Sequence, residues 1–156
     1  MADAYLTGLK LLAGRELSEA QMRMRLTRRK FGSEEIDSAV ARLRHEGSLD
    51  DRRTALACAR SEAHVKRHGT ARALRQLQAL GISRGVAKTA VAEVFADLDE
   101  DDLIANALER RLRHGASLEN AAIQRRLYRY LLGQGFDAAR VQAAIRSRVN
   151  RVRHDE

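Results

Sequence analysis

Phe31, Ile82 and Phe136 each sit beside a glycine, and each is followed at fixed intervals by further apolar residues. Phe31, Val40 and Leu43 have counterparts Ile82, Val91 and Val94, all 51 residues later. Phe31, Ile36 and Val40 have counterparts Phe136, Val141 and Ile145, all 105 residues later, and Met22 and Leu26 map in the same way onto Leu127 and Leu131. Agreement in spacing, residue class and neighbouring glycine at three places marks a repeated structural unit. Within the unit the period is helical. Leu6, Leu9 and Leu12-Ala13 fall on one helix face that should stop at Gly14. Ser18-Glu-Ala-Gln21 is a capping-box pattern, followed by Met22, Leu26 and Phe31. Gly32 is expected to end that helix and Ser33-Glu-Glu to begin the next, with Ile36, Val40 and Leu43 buried and Gly47 as its stop. The sequence therefore predicts an all-α fold of three tandem three-helix repeats, forming an elongated, curved array. The units cover residues 1–48, 49–98 and 99–156. The joints are Gly47-Ser-Leu-Asp-Asp51 and the acidic run Asp97 to Asp102, the latter read as the cap and first turn of a helix.

Composition agrees with helices and removes several classes. The 156 residues contain no proline and only 4% aromatics, a poor match to a sandwich or barrel. No stretch of eighteen apolar residues is present, so no transmembrane helix is expected. The N-terminal Met1 to Leu6 has neither the basic start nor the apolar block of a secretory signal. A single cysteine, Cys58, cannot form an internal disulfide and suits a reducing cytoplasm.

Enzyme chemistry finds little support. Gly81-Ile-Ser-Arg-Gly85-Val-Ala-Lys88-Thr89 contains the residues of a phosphate loop at the wrong spacing, and a capped helix start explains it better. His64 and His68 at i, i+4 lack the further ligands that zinc requires. Cys58 and His64 are six apart, on poorly matched helix faces for a nucleophile and its base. No catalytic residue, metal ligand or cofactor is expected.

Binding is better supported. The chain holds 29 Lys+Arg against 21 Asp+Glu, a formal charge of +8. The excess lies along the whole chain and is heaviest from residue 101 onward, so it belongs to the folded body rather than to a tail. It gathers in clusters: Arg23, Arg25, Arg28, Arg29 and Lys30; Arg110, Arg111 and Arg113; Arg125, Arg126 and Arg129; Arg146, Arg148, Arg151 and Arg153. Guanidinium forks match phosphate and carboxylate oxygens alike. Glu19, Glu109 and Glu119 neutralise part of this charge. Tyr128 and Tyr130 flank Arg129 but point to different sides of a helix, a sparse platform for bases. Phosphate contact should therefore dominate any affinity for DNA, with low sequence specificity.

The order of the motifs resembles one known family. Glu16-Leu-Ser18-Glu-Ala20-Gln-Met22 looks like that family's first-repeat block. Gly47-Ser-Leu49-Asp50-Asp51-Arg-Arg53-Thr-Ala55 is similar to its Gly-x-Leu/Ile-(Asp/Asn)-Asp-x-x-(Phe/Tyr)-Ala stretch. Arg60-Ser61 and Gly69-x3-Ala73-x3-Leu77-x3-Gly81-Ile82-Ser83 continue the pattern. The family is RecX, regulators of the bacterial recombinase RecA. Thr54 and Cys58 depart from it, standing where aromatics are usual. The resemblance implies three tandem three-helix repeats. It also implies a non-enzymatic inhibitor that lies in the groove of the RecA–single-stranded-DNA filament and lowers ATPase, strand exchange and coprotease activity. A cytoplasmic monomer is expected. Arg25, Arg28, Arg29, Lys30, Arg110, Arg111, Arg113, Arg125, Arg126, Arg129, Arg146, Arg148 and Arg151 are the expected contact residues, read from charge. The alternative expectation is a free-standing, largely non-specific DNA-binding protein of helix-turn-helix type; a third is a pure protein-interaction scaffold. No membrane partner is expected.

Overall fold

The computed structural model describes residues 3–113 and 118–154, and they form helices without strands. In chain order these are α1 (Ala4–Gly14), α2 (Glu19–Arg28), α3 (Ser33–His45), α4 (Asp51–Arg60), α5 (Thr70–Ala79), α6 (Arg84–Phe95), α7 (Glu100–Arg113), α8 (Ala121–Gly133) and α9 (Ala138–His154). A π-helical turn, Ser61–Val65, extends α4.

Side chains group into three separate cores. The first joins Leu17, Met22, Leu26, Ile36, Val40 and Leu43; the second Ala55, Ala59, Ala73, Leu77, Ile82 and Val91; the third Ile104, Leu108, Leu127, Leu131, Phe136 and Val141. The repeated positions read from the sequence are buried in each, apart from partly buried Phe31 and Val94. The second core is built largely of alanines, which lets α4, α5 and α6 approach closely.

The expected face of α1 is corrected. Leu6 is 52% exposed, and Ala4 and Gly8 are the buried residues. Leu9 and Leu12 of the expected face do pack on the first core, while Ala13 is exposed. A Cβ on Gly8 would lie 2.8 Å from Leu43 Cδ1, so the closest approach of α1 to α3 is at its glycine.

The glycine correspondence is also corrected. Each middle helix ends in the same turn. Phe31 N–H bonds Leu26 O, Ile82 N–H bonds Leu77 O, and Phe136 N–H bonds Leu131 O. One residue earlier, Lys30, Gly81 and Gly135 bond Thr27, Gln78 and Leu132. This is a Schellman ending, and its left-handed position holds Lys30 (φ 69), Gly81 (φ 78) and Gly135 (φ 95). Gly32 is instead the N-cap of α3, where its N–H donates to Glu35 at 2.8 Å. The counterpart of Gly81 and Gly135 in the first unit is thus a lysine.

Those turns are where successive units meet. Ser18, the N-cap of α2, accepts from Gln21 N–H and donates through Oγ to the Leu80 carbonyl at the end of α5. Gly69, the N-cap of α5 and 51 residues on, donates through N–H to the Gln134 carbonyl at the end of α8, at 2.8 Å. Ala71 N–H adds a bond to Gly135 O at 3.2 Å. The start of each middle helix therefore rests on the closing turn of the next, twice over. Arg53 and Thr54 strengthen the first joint: Arg53 Nε meets Glu16 at 2.8 Å, and the buried Thr54 hydroxyl reaches Glu16 and the Leu17 carbonyl. The Thr54 hydroxyl thus ties α4 to the preceding unit.

Asp50 caps α4 through Arg52 N–H and Arg53 N–H. Ser83 caps α6, the segment that carried the phosphate-loop residues, and Asp99 accepts from Asp101 N–H at the start of α7. Both acidic and hydroxyl caps fall where the sequence puts them.

Candidate functional site

The basic clusters singled out from the sequence fall in the first and third units, although the middle unit also carries arginines such as Arg60, Arg75 and Arg84. At the end of α2, Arg25 is partly buried and Arg28, Arg29 and Lys30 are exposed. They run from the last turn of α2 into the Schellman turn that ends it, whose left-handed residue is Lys30. In the third unit Arg110, Arg111 and Arg113 occupy the last turn of α7, where the helix dipole favours cations. Arg125, Arg126 and Arg129 lie exposed along α8, and Arg146 and Arg151 are exposed on α9.

Pairing divides the cluster residues. Arg23, grouped by sequence with the α2 cluster, meets Glu19 at 3.3 Å and Asp37 at 2.5 Å. Arg148 meets Glu109 at 3.0 Å, so it belongs to the α7–α9 packing rather than to a free surface. Arg25, Arg28, Arg29, Lys30, Arg110, Arg111, Arg113, Arg125, Arg126, Arg129, Arg146 and Arg151 form no ion pair with a described residue. Other ion pairs go to Arg42, Arg44, Arg52, Arg53, Lys66 and Arg140. The side chain of Arg153 lies outside the described part.

Two depressions mark the third unit. One lies between α8 and α9 and is lined by Gln124, Arg125, Tyr128, Gln142, Ile145 and Arg146. The other is shallow, formed by Ala122, Arg125, Arg126 and Arg129. The two tyrosines separate in role: Tyr128 lines the groove, whereas Tyr130 lies under the Arg111 guanidinium, 3.9 Å from its ring centroid. Sequence spacing places them on different sides of α8 but does not reveal either neighbour.

The histidine pair does not form. Arg67 takes a left-handed φ of 57 between α4's π-turn and α5, so His64 and His68 leave the common face that i, i+4 spacing implies. His64 is exposed, and His68 Nδ1 lies 2.6 Å from Glu62. Glu62 is fully buried and also accepts from Lys66 Nζ at 2.5 Å. Burial pushes its carboxyl up, but the bonds from Lys66 and His68 outweigh this and hold it below the usual carboxylate range. Burial, with help from Glu62, pushes the Cys58 thiol up, away from the thiolate a nucleophile needs. Among the described residues no group of three or more His, Cys, Asp or Glu is placed to hold a metal ion. No described helix is long and apolar enough to cross a membrane.

Stacked three-helix units define a helical-repeat protein. Comparison with known proteins narrows this. Residues 4–43 match the family model described as the first three-helix domain of RecX, a span that covers α1, α2 and α3 to their last buried leucine. The Regulatory protein RecX of Thermus thermophilus is 36% identical over 135 residues, covering 86% of this chain and 84% of the relative. That of Trichlorobacter lovleyi is 37% identical over 114 residues, covering 70% of this chain and 71% of the relative. The crystal structure of RecX from Lactobacillus salivarius superposes with a TM-score of 0.78 over 92% of this chain and 93% of that one, at 16% identity. The chain belongs to the RecX family of regulatory proteins.

Proposed function

We propose that this chain is a negative regulator of the RecA recombinase, binding the RecA–single-stranded-DNA filament and lowering its ATPase, strand-exchange and coprotease activities. The observation that carries this reading is the set of unpaired basic side chains on the outer units of a RecX-family array. Phosphate and carboxylate both suit those side chains, and a nucleoprotein filament presents both. Units held at fixed spacing by the Ser18–Leu80 and Gly69–Gln134 bonds would engage several filament subunits at once, so each contact raises the effective concentration of the next. The protein acts by binding rather than by catalysis, as a monomer in the cytoplasm, where Cys58 stays reduced. The unit boundaries near residues 48 and 98 are part of the same reading.

The test is RecA ATPase and strand exchange on single-stranded DNA across substoichiometric and stoichiometric ratios of this protein. Graded inhibition supports the proposal. No effect at any ratio overturns it.

A further inference from the structure

The α8–α9 groove places an aromatic ring, Tyr128, between two helices beside Arg125 and Arg146, which form no ion pair with a described residue. Tyr128 is partly buried and packs on the third core, so its ring is fixed on one side while the other lines the groove. Ile145 belongs to the same core and supplies apolar floor. Arg125 and Arg146 border the groove from different helices. Gln124 donates to the Leu118 carbonyl at 2.8 Å, which holds its amide in place, and Gln142 adds a second amide from α9. Arg125 also belongs to the neighbouring depression with Arg126 and Arg129, so a purely basic track leads out of the aromatic groove.

We infer that this groove is a nucleobase subsite for single-stranded nucleic acid: a splayed base lies on Tyr128, and its flanking phosphates run along Arg125, Arg126, Arg129 and Arg146. The alternation of an apolar, amide-edged slot with guanidinium groups matches a strand that alternates base and phosphate. A duplex keeps its bases stacked and offers none to the slot. An acidic peptide would use the arginines but leave the ring and the two amides without purpose. This inference rests on the reading of the basic surface as an anion-binding face, and adds what that face reads.

The chain contains no tryptophan and three tyrosines, of which Tyr128 alone lines the groove, so the part of a tyrosine fluorescence change that Tyr128→Phe removes reports on it. The experiment titrates the full chain with a twelve-nucleotide oligothymidylate, an abasic strand of the same length, and poly-glutamate. The expected results are tyrosine quenching with oligothymidylate that is lost in Tyr128→Phe, and affinity about tenfold weaker for the abasic strand. Tyr128→Leu should bind oligothymidylate about tenfold more weakly, whereas Tyr128→Phe, which keeps the ring, should bind as the unaltered chain does. Equal affinity for abasic and base-bearing strands overturns the subsite, as does tighter binding of poly-glutamate. RecA ATPase inhibition measured on the same samples separates the two claims. Intact inhibition with no base preference removes the subsite alone. Absent inhibition removes the regulatory reading whatever the strands do.

Discussion

Gly81 lies against Ala20 so closely that a Cβ on the glycine would meet the Ala20 Cβ at under 3.0 Å, a distance real Cβ atoms do not reach. Gly81 also holds a φ of 78. Two independent demands, one from the helix-ending turn and one from the preceding unit, fall on a single residue. Gly135 meets the same pair of demands against Arg72. Lys30, at φ 69, stands at the corresponding position of the first unit.

Gly81→Ala should therefore cost about 2–4 kcal/mol in urea unfolding, from left-handed strain plus the clash. Lys30→Gly relieves the same strain without touching a joint and should stabilise by about 1 kcal/mol. Equal and small effects at both sites would remove the role assigned to the joint.

Ser18→Ala removes the cap of α2 and the bond to Leu80 together. A loss of about 1–2 kcal/mol is expected, with Ser18→Thr close to the unaltered chain. Thermal or urea unfolding of the two variants decides it.

Glu62 makes stability depend on acid. Its folded pKa lies below its ordinary value of about 4.3, so the folded state binds fewer protons than the unfolded one in that range. Stability from this group is present above the unfolded pKa and is lost as pH falls through the folded pKa. Glu62→Gln should flatten the acid limb of stability against pH and cost roughly 2–3 kcal/mol at neutral pH, where Lys66 and His68 lose their charged acceptor. An acid limb unchanged in Glu62→Gln would contradict this.

Cys58 should react more slowly with a disulfide reagent at neutral pH than a free cysteine does, because a raised pKa lowers its thiolate fraction. Glu62 contributes to that rise, so Glu62→Gln should speed the reaction. Fast labelling of the unaltered chain would show that Cys58 is neither buried nor suppressed.

The repeat was legible because large apolar residues recur at one spacing, and their burial follows from the helical period. Gly8 and the alanines of the second core were not, since small residues carry no periodic signal and matter only through how near another helix comes. Lys30 was hidden for a related reason. Its left-handed turn is read from backbone bonds, and glycine at position 32 drew attention one turn-element too late. The arginines were legible as candidates but not as a surface, because Arg23 and Arg148 look like their neighbours until Asp37 and Glu109 are seen beside them. The separate places of Tyr128 and Tyr130 required α9 and Arg111, which spacing along α8 does not contain.

The central claim is that the unpaired arginines of the third unit carry inhibition of the recombinase filament. The most direct measurement is RecA ATPase on single-stranded DNA with Arg110, Arg113, Arg125 and Arg129 all changed to glutamate, helical content being checked by circular dichroism. The unaltered chain should suppress turnover and the folded charge-reversed chain should not. Full inhibition by the folded, charge-reversed chain would contradict it.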